Sequence, residues 1–140
     1  MVRKASAVWK GSLKEGQGSV SVPSGALKDL AYNFGQRFED KPGTNPEELI
    51  VAAHAACYGM ALSGQLGKDN LKPESLDTKG TLTFEKTDAG FTITRIHLEV
   101  LGKVPGASIE AFQKAAEEAK KTCPISRVLN TSITLDAKLA

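Results

Sequence analysis

The stretch Gly43-Thr-Asn-Pro-Glu-Glu-Leu-Ile-Val-Ala-Ala-His-Ala-Ala-Cys-Tyr-Gly-Met60 predicts the helix around which the fold is arranged. Either Thr44 or Asn45 can cap its first turn, Pro46 suits the first helical position, and the two glutamates favour the positive end of the dipole. Its apolar positions recur with helical spacing at Leu49, Ala52, Ala53, Ala56 and Met60. We expect this helix to end near residues 64–67. Because alanines let another backbone approach closely, we also expect it to be a buried central helix.

The residues before this helix predict a β-hairpin and then a long loop. Small apolar residues and Trp9 alternate with polar residues in the first ten positions, which is typical of a strand. A turn at Gly16–Gly18 leads to a second predicted strand at residues 19–23. Residues 24–45 lack periodicity and are rich in glycine, asparagine and aspartate, so we expect an irregular loop. Loops of this length are uncommon unless they carry function.

The residues after the central helix predict a second hairpin and a second main helix. Segments 75–86 and 90–104 contain many β-branched residues and are joined by a turn at Thr87–Gly90. Ser108 can cap a helix that extends to about Lys121.

The chain is expected to close with a short helix and a strand. Pro124 ends the second main helix and can begin a third, short one. Residues 132–139 alternate between polar and apolar side chains, as a strand does. The order of elements predicts an α+β fold with two main helices packed on antiparallel sheets. The length of 140 residues indicates a single domain over residues 1–140.

Composition and charge exclude some classes of function. The formal net charge is +2, and no basic run is interleaved with aromatic residues, so we expect no nucleic-acid partner. No apolar stretch follows Met1–Lys4, so we predict no signal peptide. The longest apolar run, around Leu49–Ala56, is too short for a membrane span. We therefore expect a cytoplasmic protein that does not enter a membrane.

The chain contains two cysteines, Cys57 and Cys123, and both lie in settings that suit reactive sulfur. Cys57 is inside the alanine-rich helix, and Cys123 directly precedes Pro124, at or just before the start of the short helix. Helix ends and nearby cations lower the pKa of a thiol, and the thiolate is the nucleophile. Two such thiols predict an attacking cysteine and a resolving one.

Three motifs together resemble those of the OsmC/Ohr family of thiol-dependent peroxidases. They are Gly43–Ile50, the run Ala52–Cys57, and Cys123-Pro-Ile-Ser126. Further matching segments are Gln36-Arg-Phe-Glu39, Thr87–Phe91, Val104-Pro-Gly106 and Ile133–Asp136. Arg37 in its loop and His54 three residues before the cysteine are most similar to the OsmC branch. The resemblance covers nearly the whole chain.

This resemblance implies a peroxidase that reduces organic hydroperoxides to alcohols by a two-cysteine cycle, with hydrogen peroxide as a further candidate substrate. Matched residue by residue, Cys57 is the peroxidatic thiol, Cys123 the resolving thiol, and Arg37 with Glu47 the pair that positions and polarises the peroxide. It also implies an intertwined homodimer with OsmC-like subunits and sites at the interface. The implied reductant is a dithiol, with lipoylated proteins as partners in the Ohr branch. No metal or organic cofactor is implied.

The spacing of two of these residues adds an inference about assembly. Glu47 and Cys57 are ten residues apart, which corresponds to about 15 Å of rise on a straight helix. The two side chains cannot serve one small site from one chain unless the helix breaks. A second subunit that supplies one of them removes the conflict.

Several residues allow a structural interpretation as readily as a functional one. Glu47 on its own could be only a helix-start carboxylate. His54 lies one turn before Cys57 and could tune the thiol or be a packed core histidine. The aromatic residues Phe34, Phe38 and Tyr58 could line an apolar peroxide pocket or belong to the core.

Two other functions fit parts of the sequence. A zinc-binding structural module could use His54, Cys57, Cys123 and His97, although no close pair of cysteines is present. A non-catalytic protein that binds small apolar molecules would share every core feature, and only turnover separates it from an enzyme.

Overall fold

The computed structural model describes all 140 residues, which form two compact units divided after Leu49. The first unit contains strands β1 (Ser6–Lys10), β2 (Gln17–Ser21) and β3 (Leu30–Asn33), followed directly by helix α1 (Phe34–Phe38). The three strands form an antiparallel sheet in the order β1-β2-β3. The predicted first hairpin is confirmed, and its second strand begins two residues earlier than expected. A single domain over residues 1–140 stays a prediction.

The expectation of an irregular loop at residues 24–45 is wrong, because this segment contains β3 and α1. β3 pairs with β2 along its whole length, from Leu30 opposite Val20 to Asn33 opposite Gln17. Asn33 caps α1, since its Oδ1 accepts a hydrogen bond from the backbone N–H of Gln36 at 3.1 Å. Elements of four and five residues are too short to show a periodic pattern.

The first unit has no hydrophobic core within the chain. Its buried residues are three glycines and one carboxylate: Gly16, Gly18, Gly35 and Glu47. Every residue of β1 is exposed, including Val8 at 52% and Trp9 at 37%. Buried apolar side chains, on which small units depend for stability, are thus absent from residues 1–49.

Helix α2 spans Pro46–Lys68, close to the predicted range, and Asn45 caps it by accepting from the Glu48 N–H at 2.8 Å. One face is buried, with residues spaced by four: His54, Tyr58, Leu62 and Leu66. The expectation of a helix buried on its alanine face is wrong for the single chain. That face is exposed, and it consists of Ala52, Ala53, Ala56 and Met60. The face of α2 with larger side chains is thus buried, and the face that consists mostly of alanines is exposed to solvent.

α2 is also the only helix long and apolar enough to cross a membrane by length and composition. Its best 18-residue window has a mean hydropathy of 1.3, so the expectation that no segment reaches this length is wrong. Core helices of water-soluble proteins meet the same criterion. Only 22% of that window is buried within the chain.

The second unit is built on strands β4 (Ser75–Thr87), β5 (Gly90–Lys103) and β6 (Ser132–Leu139), in the order β4-β5-β6. The predicted second hairpin is confirmed, and Gly90 takes a φ of 106° at its turn, a value that favours glycine. β6 pairs parallel to β5, so the expectation of purely antiparallel sheets is wrong for this pair. Parallel neighbours need a crossover connection, and here helices supply it.

That crossover consists of the two remaining helices, α3 (Ile109–Thr122) and α4 (Pro124–Val128). Ser108 caps α3 as predicted, its Oγ accepting from the Ala111 N–H at 3.1 Å. The core lies between α2, α3 and the sheet, and its fully buried members include Tyr58, Leu62, Ile96, Leu98 and Phe112. The predicted α+β class is confirmed.

Candidate active site

The two cysteines lie next to each other although they are 66 residues apart in the sequence. The Sγ atoms of Cys57 and Cys123 are 3.0 Å apart, and both residues are free thiols. Cys123 is fully buried, and Cys57 is partly exposed. The structure thus places the two sequence-predicted thiols within reach of a disulfide bond, and Cys57 is the more exposed of the two residues.

The position of Cys123 follows from the proline beside it. Its backbone N–H ends α3 by donating to Ala119 O at 2.9 Å, and its C=O accepts from the Arg127 N–H at 3.0 Å in α4. A residue before proline is steered away from helical ψ, and Cys123 has φ −55° and ψ 123°. The chain therefore breaks between two helices at Cys123, and the break points its side chain at α2.

The surroundings of Cys57 in the second unit do not favour its thiolate. Burial raises the pKa of the Cys57 thiol, and Cys123 raises it further through a hydrogen bond and through its charge. The backbone amide of Ile125, in the first turn of α4, lowers the pKa to a smaller extent. The sequence predicted a lowered pKa for Cys57, whereas within one chain the pKa of Cys57 is raised. A nearby cation would lower the pKa of the Cys57 thiol, but the groups that shift this pKa, Cys123 and Ile125, are not cations.

The predicted pair of Arg37 and Glu47 is present in the first unit. Arg37 Nε lies 3.1 and 3.2 Å from the two carboxylate oxygens of Glu47, and its Nη2 lies 2.7 Å from Oε1. Glu47 stands in the first turn of α2 and is buried, whereas the Arg37 side chain is 36% exposed. Such a forked contact fixes the plane of the guanidinium group.

An apolar cavity of about 260 Å³ lies beside Arg37. Its walls are formed by Trp9, Leu13, Tyr32, Asn33, Phe34, Arg37 and Phe38. The Arg37 guanidinium carbon is 5.2 Å from the centre of the Phe38 ring. Phe34 and Phe38 thus line a pocket, which is one of the two interpretations that the sequence left open for them. Tyr58 does not, because it is a core residue whose hydroxyl donates to Ala116 O at 3.1 Å.

A buried hydrogen bond that was not predicted from the sequence lies one helical turn from the thiols. His54 Nε2 and Ser126 Oγ are 2.7 Å apart, and both residues are buried. His54 Nδ1 has no hydrogen-bond partner. An unpaired buried acceptor is more common than an unpaired donor, so we assign the ring proton to Nε2, which donates to the serine. The sequence does contain a hint of this bond. Ser126 follows Cys123 by three residues, just as His54 precedes Cys57 by three residues.

The surroundings of His54 decide between its two interpretations. Burial lowers the pKa of His54, so the ring is neutral near pH 7 and supplies no charge to the thiol. The interpretation as a packed core histidine therefore fits the structure better.

The residues considered for zinc are not gathered into one site. His97 Nδ1 is 2.6 Å from Thr134 Oγ1, and its Nε2 is 3.4 Å from an Asp136 oxygen. No group of three or more histidine, cysteine or acidic side chains is placed to hold a metal ion. This geometry disfavours the zinc-binding alternative.

Comparison with known proteins shows the family of the chain. The profile of the family described as OsmC-like protein matches residues 38–138. The protein named peroxiredoxin OsmC from Escherichia coli (strain K12) is 48% identical over 137 residues, which cover 98% of this chain and 96% of that protein. The chain belongs to the OsmC family. The matched segment includes Glu47, Cys57 and Cys123, and Arg37 precedes it by one residue.

Two further similar proteins have lower sequence identity. The organic hydroperoxide resistance protein of Xanthomonas axonopodis pv. citri (strain 306) is 30% identical over 99 residues, 70% of this chain and 68% of that protein. Among solved structures, the OsmC-like protein of Mycoplasma pneumoniae superimposes with a TM-score of 0.77, covering 100% of this chain and 98% of that chain. Its sequence identity is 16%, so this likeness concerns the fold.

Proposed function

We propose that this chain is a peroxidase that reduces organic hydroperoxides through a two-cysteine thiol/disulfide cycle, with hydrogen peroxide as a further candidate substrate. The observation that carries the proposal is the 3.0 Å separation of Cys57 Sγ and Cys123 Sγ, with only Cys57 accessible. A relative with 48% identity is named a peroxiredoxin, and others are named organic hydroperoxide resistance proteins, which supports the reaction class.

The cycle balances with residues of this chain and one external dithiol. The Cys57 thiolate attacks the terminal oxygen of R–O–O–H; an S–O bond forms, the O–O bond breaks, and RO⁻ leaves and takes a proton to become the alcohol. Cys57 is then a sulfenic acid. The sulfur of Cys123 attacks it, so that an S–S bond forms, the S–O bond breaks and water leaves. An external dithiol then reduces this disulfide to two thiols and is itself oxidised to a disulfide.

The first step needs a cation near Cys57, and Arg37 is the proposed one. Burial and Cys123 raise the pKa of Cys57, so a thiolate at neutral pH requires an opposing charge. The fork between Arg37 and Glu47 would present the guanidinium group in a fixed orientation, to stabilise both the thiolate and the departing alkoxide. The cavity beside Arg37 is apolar, which suits the organic part of a hydroperoxide.

The working unit is proposed to be an intertwined homodimer in which the Arg37–Glu47 pair of one subunit serves Cys57 of the other. α2 is continuous from Pro46 to Lys68, so ten residues of helix separate Glu47 from Cys57 within a chain. Residues 1–49 bury no apolar side chain, and the alanine face of α2 is uncovered. A second copy of the chain would cover both. The small residues of that face allow close approach of an identical helix.

The remaining partners follow from the chemistry. The reductant is proposed to be a dithiol, because the second thiol of a dithiol releases its own mixed disulfide with the enzyme; a lipoylated protein has this chemistry. The cytoplasm, where free thiols persist, is the proposed location.

Turnover is the direct test. Purified protein would be mixed with cumene hydroperoxide, tert-butyl hydroperoxide or hydrogen peroxide and with dihydrolipoate, and loss of peroxide and of free dithiol would be followed together. We expect one dithiol oxidised per peroxide consumed, with higher kcat/KM for the organic hydroperoxides. Binding of cumene hydroperoxide without turnover would support the alternative of a non-catalytic binder, which the 260 Å³ apolar cavity alone would also suit.

A further inference from the structure

His54 and Ser126 stand in a fixed relation to the two thiols. His54 precedes Cys57 by three residues on α2, and Ser126 follows Cys123 by three residues in α4. Each side chain is therefore one helical turn from a cysteine on the same face. The contacts pair in antiparallel order, His54 with Ser126 at 2.7 Å and Cys57 with Cys123 at 3.0 Å.

The hydrogen bond from Ser126 to His54 is a directional contact that ties α4 to α2. This helix has five residues, too few to be stable alone. Its backbone bonds, such as Leu129 N–H to Ile125 O at 3.2 Å, stay within the same turn. The bond from Ser126 to His54 is the hydrogen bond that a side chain of residues 124–128 makes with another element, and the backbone amide of Ile125 also hydrogen-bonds to Cys57.

The bond is also costly to break. His54 is 0% exposed and Ser126 is 9% exposed, so neither group can find water as a substitute in the folded state. Nε2···Oγ is the only hydrogen bond of the histidine ring, because Nδ1 has none. Loss of the serine hydroxyl would leave both ring nitrogens unpaired in the core, which opposes any displacement of α4.

We infer that His54 and Ser126 are positioning residues that hold Cys123 against Cys57 and thereby set the rate and equilibrium of disulfide closure. They do not touch the peroxide. The inference rests on the proposed two-cysteine cycle for its biological meaning, and on the geometry alone for its physical content. Loss of the hydrogen bond would allow α4 to pivot at Cys123 and would lower the effective concentration of one thiol at the other.

The first experiment measures this effective concentration without any peroxide. The full-length protein is equilibrated in buffers with a graded ratio of reduced to oxidised glutathione, and the Cys57–Cys123 disulfide is quantified by mass spectrometry. In Ser126→Ala we expect the effective concentration to fall about fivefold or more, the scale of one buried hydrogen bond. Ser126→Thr keeps the hydroxyl and should stay within about twofold of wild type.

A matched control comes from the second histidine–hydroxyl bond in the same unit. Thr134→Val removes the 2.6 Å contact of His97 on the other face of the sheet and should leave closure within about twofold of wild type. If Ser126→Ala is too unstable, the double variant His54→Leu/Ser126→Ala removes both partners and leaves no orphaned polar group, which is close to neutral for stability. It should show the same loss of closure. Wild-type closure in either variant would overturn the inference.

The second experiment separates this inference from the proposed function. After one equivalent of cumene hydroperoxide, Ser126→Ala should form sulfenic acid on Cys57 at the wild-type rate and accumulate it, as adducts with dimedone report. An equal slowing of both steps would overturn the positioning role. If wild type forms no sulfenic acid at all, the proposed function fails, and the glutathione result still decides the inference.

Discussion

The single Nε–H of Arg37 is shared between the two carboxylate oxygens of Glu47, and its Nη2 donates to Oε1 at 2.7 Å. If this pair polarises the peroxide, Arg37→Ala should slow sulfenic acid formation on the order of a hundredfold while the protein stays folded. Arg37→Lys should recover only part of the rate, because an ammonium group lacks the planar fork. Stopped-flow measurement of the first step would check both variants.

A nearby surface ion pair supplies the control for that experiment. Lys41 Nζ and a Glu39 oxygen are 3.0 Å apart, and both side chains are largely exposed. Glu39→Gln should change the rate little, because exposed pairs contribute weakly. Equal losses in Glu39→Gln and Arg37→Ala would show that the effect on the rate is not specific to the Arg37–Glu47 pair.

The two thiols should fail in different ways when each is replaced. Cys57→Ser should abolish peroxide reduction, because no nucleophile remains. Cys123→Ser should still release one equivalent of alcohol and leave a sulfenic acid on Cys57 that dimedone traps. Alcohol yield per protein and intact mass would be measured. Full activity of Cys57→Ser, or an equal block of the first step in both variants, would refute the division of roles.

Shared active sites should be restored by mixing two inactive variants. If Glu47 of one subunit serves Cys57 of the other, Glu47→Ala and Cys57→Ser chains refolded together should form heterodimers with one intact site. Activity should recover to at most about half of wild type per heterodimer. Mixtures of each variant with itself are the control. No recovery in verified heterodimers would place Glu47 and Cys57 of the same chain at one site.

The alanine face of α2 should be sensitive to charge only if a second copy covers it. Ala56 is exposed within the chain, so Ala56→Glu would be tolerated by a solvated helix. In the proposed dimer it would bury like charges against each other, and light scattering should show dissociation to monomers. Lys121→Glu, on the exposed side of α3, should leave the mass unchanged. A wild-type protein that is monomeric and fully active would contradict the assembly.

The buried histidine should make stability depend on pH below neutrality. Burial lowers the pKa of His54 below its usual 6.5, so beneath that pH the unfolded chain binds a proton that the folded chain does not. Stability is therefore fully present above about pH 6.5 and falls as the pH drops, by up to about 1.4 kcal/mol per unit. Urea unfolding at pH 7.5, 6.5 and 5.5 would measure it. His54→Gln, which cannot titrate, should show a shallower loss.

Long elements with strong end signals could be predicted from the sequence. The caps of α2 and α3, the turn at Gly90 and the break at Pro124 are each set by one or two residues, and the structure confirms them. The thiol pair could be anticipated from its motifs. Other features depend on tertiary pairing: the parallel alignment of β6, the short β3 and α1, and the bond from His54 to Ser126. No local pattern reports them.

The exposed face of α2 shows how a helix can be predicted correctly while the face that the chain buries is predicted incorrectly. Ala52, Ala56 and Met60 have core spacing, yet the sheet of the chain packs against Tyr58 and Leu62 instead. Both faces of the helix are apolar, so periodicity alone could not tell which one the chain itself buries.

The short distance between the two sulfurs also bears on whatever reduces the protein. Going from 3.0 Å to a disulfide bond needs a movement of about 1 Å, which side-chain torsions can absorb without unwinding α4. The oxidised and reduced forms would then present nearly the same surface. A reductant could not recognise its oxidised target by shape, and would have to dock on both forms alike and discriminate only by whether a disulfide is there to attack. As a kinetic consequence, the reduced enzyme would compete with the oxidised enzyme for the reductant.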